Sequence, residues 1–141
     1  YIYSIFKKIT MNNKLGKILA EISVGELVDK ITILEIKKEK INDSDKLKNI
    51  EKELIALNST FKSSTFDSSK IKTLIDRLKL INLKLWDIEN GKRLAEKNSE
   101  FGEKFIELAR SVYKVNDERS KIKLEINNIL GSNIKEVKSY Y

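Results

Sequence analysis

The chain has 141 residues, of which 40% are hydrophobic and 35% charged, with five Gly and no Pro, Cys or His. That suits one domain burying ~68% of its unfolded surface, too apolar for disorder and too charged for a membrane protein. Without Cys or His there is no disulfide, zinc ribbon or Ser–His–Asp relay, so any metal would be held by carboxylates: magnesium, manganese or calcium.

Tyr1–Thr10 carries a short apolar patch ahead of Lys7 and Lys8, the reverse of a signal peptide, and the only Met is Met11. The expected division is therefore an N-terminal extension, 1–10, upstream of a natural start, and a single helical domain, 11–141. Ile18, Ala20, Ile22 and Val24 alternate with period two, which predicts a short strand over Lys17–Val24. Ser23-Val24-Gly25-Glu26 is a capping box, starting a helix that runs to about Ile41. Asn42–Asp45 ends it and caps a second helix carrying Leu47, Ile50, Leu54, Leu57 and Phe61. After a polar break at Ser63–Ser69, a third helix carries Ile71, Leu74, Leu78, Ile81, Leu85 and Ile88, weakened near its end by Gly91. Asn98-Ser99-Glu100 marks a loop.

From Phe101 to Ile129 a fourth helix holds a seven-residue repeat for four heptads, with Gly131 placed as the glycine that ends it. At ~43 Å it is longer than a small globule needs, which predicts an antiparallel, coiled-coil-like bundle of about four helices. Ile134 and Val137 are expected to pair the C-terminal tail with the N-terminal strand.

Net charge is +7, but it is smeared: residues 1–50 contribute +3, 51–100 contribute +2 and 101–141 contribute +2. Only four of the 28 basic residues are Arg. A nucleic-acid footprint is a clustered, arginine-bearing stripe, so no nucleic-acid partner is expected. No stretch reaches the ~20 apolar residues of a transmembrane helix, so no membrane association is expected and a cytoplasmic address is the default.

Polar residues that break apolar stripes are the functional candidates. Glu35 lies within the arc of helix 1. Asn82 and Glu89 join the stripe of helix 3, with Trp86 beside them. Arg119 occupies the centre of the helix 4 stripe, flanked by Asn116 and Lys123. A buried charge must be paired, most simply Arg119 with Glu89 or Glu35. One outcome is a buried Arg/Glu/Asn layer that fixes helix register; the other is a cleft where Arg119, Asn116 and Lys123 receive a nucleotide or sugar phosphate. Ile33 and Ile36, opposite the main stripe of helix 1, imply cover on two sides, which a second copy of the chain would supply. For an enzyme, the nearest pattern is a magnesium-dependent nucleotide pyrophosphohydrolase. Glu26 and Asp29 form E-x-x-D, Glu35 and Glu39 lie one turn apart, and Asp87 and Glu89 add W-D-x-E. The order of these elements is inverted for that superfamily, however, and Asp29 falls on the polar side, so solvated faces explain them better.

Several strings resemble a small family from bacteria and their viruses, domain of unknown function 6165. They are EISVGELVDKITILEIK (21–37), LWDIE (85–89), FIELARSVYKVNDERS (105–120), EINNILGS (125–132) and KSYY (138–141). The resemblance spans about Ile18 to Tyr140 and leaves the first ten residues outside. The family commonly has Pro where Gly25 stands. It has no assigned activity, so the resemblance implies boundaries and places Trp86, Asp87, Glu89, Asn116, Asp117 and Arg119 inside family motifs. The expectation is a non-enzymatic interaction or oligomerisation module without a cofactor, partnered by a second copy or another helical protein. Under the alternative, an anion pocket, magnesium would enter.

Overall fold

A computed structural model describes residues 15–140; the expected extension 1–10 lies outside them. Four helices form an all-α bundle: α1 (Val24–Lys40), α2 (Ser44–Ser63), α3 (Lys72–Lys97) and α4 (Glu103–Leu130), with a 3₁₀ turn (Ser68–Ile71) before α3. No described helix is long and apolar enough to cross a membrane.

Helix boundaries follow local chemistry. Ser23 Oγ accepts the Glu26 amide at 3.1 Å, so half of the capping box forms; the Glu26 carboxylate turns away to Lys123. Asp43 accepts the amides of Asp45 and Lys46, both at 3.0 Å, and caps α2. Those hydrogen bonds to the carboxylate hold Asp43 below its usual pKa. Gly131 ends α4 in the left-handed region at φ 63°, and the Ser132 amide reaches back to the Asn127 carbonyl at 2.8 Å. Gly91 does not mark the end of α3, which runs six residues further to Lys97. It lies instead where the Leu108 side chain crosses, leaving 3.2 Å to the position of an added Cβ.

The long helices α3 and α4 pair as an antiparallel hairpin. Its proximal core joins Val28 of α1 to Ile71, Leu74, Leu78, Ile122 and Ile126, with Phe61 packed against it. The distal core groups Leu85, Ile88 and Val115 with Ile81, Leu108 and Val112 of α3 and α4, and Ile36 of α1 reaches its near edge beside Leu85. Helix α1 lies across the proximal half, and α2 packs on α1. Both flanks of α1 are thus covered within one chain: Ile36 is 2% exposed beside Leu85 and Trp86, and Leu27, Ile31 and Leu34 are buried on the arc left for α2. The argument for a second copy from Ile33 and Ile36 falls with that.

The strand predicted over Lys17–Val24 does not form, and no strand occurs among the described residues. Leu15, Ile18 and Leu19 stand exposed outside any regular element. The tail does pass the N-terminal segment, but they meet through side chains. Val24 N donates to Ser132 Oγ at 3.3 Å, and Asn133 Nδ2 donates to Glu21 Oε1 at 2.6 Å. The glycine turn at 131 and the ion pair of Glu136 with Lys123 draw the tail back along α4, so no ladder develops.

Candidate functional site

The polar residues of three helices meet around Asp29, which is 1% exposed. Helix α1 carries two apolar arcs because helices cover it from both sides, and Asp29 shares the second arc with Ile33 and Ile36 (successive residues turn by ~100°). Its carboxylate takes the side edge of the Arg119 guanidinium: Nε lies 3.0 Å from Oδ1, and Nη2 lies 2.7 Å from Oδ2. Asn82 Nδ2 donates to Oδ1 at 2.8 Å and to Thr32 Oγ1 at 3.0 Å. Thr32 in turn donates to the Asp29 carbonyl at 2.8 Å. Asn116 Oδ1 accepts from Arg119 Nη1 at 3.2 Å. A carboxylate taken from water at this depth survives only when paired and hydrogen-bonded on both oxygens, and here it is.

Lys123 extends the network. Its ammonium, with a side chain 7% exposed, lies 2.6 Å from Glu26, 2.8 Å from Glu136 and 3.8 Å from Asp29. Burial alone would lower its pKa, but hydrogen bonds to Glu136 and Glu26 and the field of Asp29 outweigh that and raise it. The hydrogen bond from Lys123 holds Glu136 below its ordinary value.

Arg119 therefore pairs with neither Glu89 nor Glu35. Glu35 and Glu39 both grip Lys79 of α3, at 3.2 and 2.9 Å. The hydrogen bond to Glu39 outweighs desolvation and, with Glu35, raises the Lys79 pKa. Glu89 pairs with Lys92 at 3.1 Å. Trp86 is half-buried beside Ile33 and Ile36; Asp87 and Asp117 are exposed. The carboxylates weighed as a magnesium box divide between two lysines, Glu26 and Asp29 around Lys123, Glu35 and Glu39 around Lys79. Among the described residues no group of three or more acidic side chains is gathered for a metal ion.

Asn127 joins the ends of α1 and α4. It is 1% exposed, and its Oδ1 accepts the Gly25 amide at 2.7 Å. A Cβ at position 25 would stand 2.6 Å from the Lys123 carbonyl, so only glycine fits there. Serving Gly25 leaves Asn127 Nδ2 buried without a partner among the described residues, at a cost of about 1–3 kcal/mol.

These residues fall within a recognised block of sequence. The model of a family of unknown function (DUF6165) matches residues 18–141. The chain belongs to that family. No curated protein and no solved structure matches it. In this DUF6165 chain Asn116 and Arg119 enter the Asp29 network directly, while Trp86 and Glu89 line a neighbouring depression.

Proposed function

We propose that this chain is a non-enzymatic helical module that associates with a second copy of itself through the distal end of the α3–α4 hairpin. The observation that carries the reading is that, among the described residues, no third layer covers the hairpin tip. Around Gly91 and Leu108 only α3 and α4 pack together among the described residues, and Leu94, Phe101, Ile106 and Tyr113 each stand more than half exposed. Ile106 and Tyr113 are seven residues apart and share one face of α4. That face is turned ~140–180° from Leu108 and Val115 in the seam with α3, so it lies on the outside of the hairpin, where a second copy laid against it would bury it. Charge permits self-pairing: residues 91–110 carry five basic and four acidic side chains, a net of +1 on a chain whose total is +7. A two-fold interface must be self-complementary, and a near-neutral patch of interleaved signs meets that condition. The internal Asp29 network supports the same reading, because its charges are committed to one another rather than to a reaction.

Light scattering tests the proposal. A particle of twice 16.3 kDa is expected at ~100 µM, within reach of a micromolar dissociation constant. Leu94→Glu with Ile106→Glu should return a 16.3 kDa particle with an unchanged helical spectrum, since both side chains are already exposed. A 16.3 kDa particle from the unaltered chain at ~1 mM would overturn it.

A further inference from the structure

The C-terminal tail lies on the face of α4 that self-association would use. At ~100° per residue, Ile106, Tyr113, Ser120 and Leu124 fall on one outer stripe, turned away from α3. Ile106, Tyr113 and Leu124 are exposed at 53%, 56% and 43%. After Gly131 reverses the chain, residues 132–140 run back along this stripe. Glu136, Lys138 and Tyr140 oppose Ser120 and Leu124 across a cleft of about 320 Å³. Lys138 and Tyr140 oppose Tyr113 across another of about 840 Å³. The reach agrees, since residues 132–140 span at most ~30 Å when extended and residues 113–130 of the helix cover ~27 Å.

Little holds the tail there. Every residue from Asn133 to Tyr140 is exposed, Val137 at 86% and Tyr140 at 69%. Among the described residues no backbone hydrogen bond joins 133–140 to the rest of the chain. Asn133 holds Glu21 at the root of the tail, and beyond it the hold is Glu136 on Lys123 at 2.8 Å. We infer that the tail is a displaceable strap, which contests the outer face of α4 with the second copy. This inference rests on the self-association reading and adds its regulation. With the strap down, a second copy reaches Ile106 but meets Tyr140 at Tyr113. With it lifted, the open stripe continues to Leu124, and a larger apolar face is available for burial. Lifting breaks one charge-assisted pair whose carboxylate side chain is 43% exposed, so the strap is weakly latched. A two-fold pair feels the latch twice, because both copies present the same face. A threefold rise in the lifted fraction of each copy multiplies into an association about tenfold tighter.

Glu136→Gln in the full chain opens the latch and leaves Lys123 with Glu26 and Asp29. Light scattering over a dilution series should give this variant a dimer dissociation constant about tenfold below that of the unaltered chain. Charge alone predicts the opposite sign, because the substitution raises the net charge above +7 and so opposes self-association. Tyr140→Ala, which keeps the ion pair and removes the ring facing Tyr113, should also tighten association, by a smaller factor. Dimers of Glu136→Gln that are no tighter than those of the unaltered chain would overturn the strap and leave self-association standing. So would a weaker dimer from Tyr140→Ala, which would place that ring in the interface rather than over it. A 16.3 kDa particle from both the unaltered chain and Glu136→Gln at ~1 mM would overturn self-association itself, and the strap with it.

Discussion

At the scale of single residues, the Asp29–Arg119 pair is the costliest feature of the interior. Asp29 is 1% exposed and answers two cations, Arg119 at 2.7 Å and Lys123 at 3.8 Å. Removing one member of such a pair strands its partners, whereas replacing both with apolar side chains is often neutral. Asp29→Leu is therefore expected to lower the unfolding free energy by about 3–5 kcal/mol in urea titrations. Asp29→Leu combined with Arg119→Leu should recover a large part of that loss. The double variant tests a specific point: a loss as large as the sum of the two single variants would mean that the residues act independently, against the geometry. Gly25 illustrates a different constraint, since the space for its absent side chain is filled by the backbone of α4.

Individual elements differ in how they are held. Helix α1 is seated by Gly25 on Asn127, by Glu26 on Lys123 and by Asp29 on Arg119, whereas the tail after Gly131 depends largely on Glu136 and Lys123. Glu136 also feels Lys138 and Arg119, and Lys123 also faces Glu26 and Asp29. A carboxylate whose pKa is depressed on folding stabilises above its unfolded value, 4.5, and loses that contribution as the pH falls through its folded value. A lysine whose pKa is raised stabilises below 10.5 and loses its contribution as the pH rises through its folded value. The tail should thus be pinned between about pH 4.5 and 10.5. Backbone NMR order parameters of residues 133–140 should fall on acidification below that window, and Glu136→Gln should produce the same loosening at neutral pH while α4 stays ordered. Equal order parameters in the altered and unaltered tails would show that the ion pair does not hold it.

For the molecule as a whole, the unequal layering of the bundle sets its dynamics. The proximal half stacks α2 on α1 on the hairpin; among the described residues the tip around Gly91 and Leu108 is the hairpin alone. Local opening tracks the density of buried apolar contacts. In the Leu94→Glu, Ile106→Glu chain, amides near Gly91 and Leu108 should exchange well before those near Leu78 and Ile122, which require global unfolding. In the unaltered chain at high concentration, association through the tip should slow the distal amides specifically. Uniform protection along both helices in the altered chain would mean that the two-helix end is as stable as the rest.

Helices were legible from residue order because their causes are local. The 3–4 spacing of Leu74, Leu78, Ile81 and Leu85, the caps at Ser23 and Asp43, and the glycine at 131 act within a few residues of themselves. The presence of Arg119, Asn82 and Asn116 in an internal polar layer was legible for the same reason, since each breaks a stripe on its own helix. The partner of Arg119 was not. Asp29 looks solvated while α1 is credited with one buried face, yet Ile33 and Ile36 lie on its arc and held the signal that this face is buried too. Glu136 carried no such signal, and neither did the failure of the Lys17–Val24 segment to find a strand. Which charges meet, and whether an extended segment gains a ladder, depends on groups up to about a hundred positions apart. Such pairings are decided by how whole helices cross, because desolvation and hydrogen-bond geometry act over a few ångströms of space and are blind to distance along the chain.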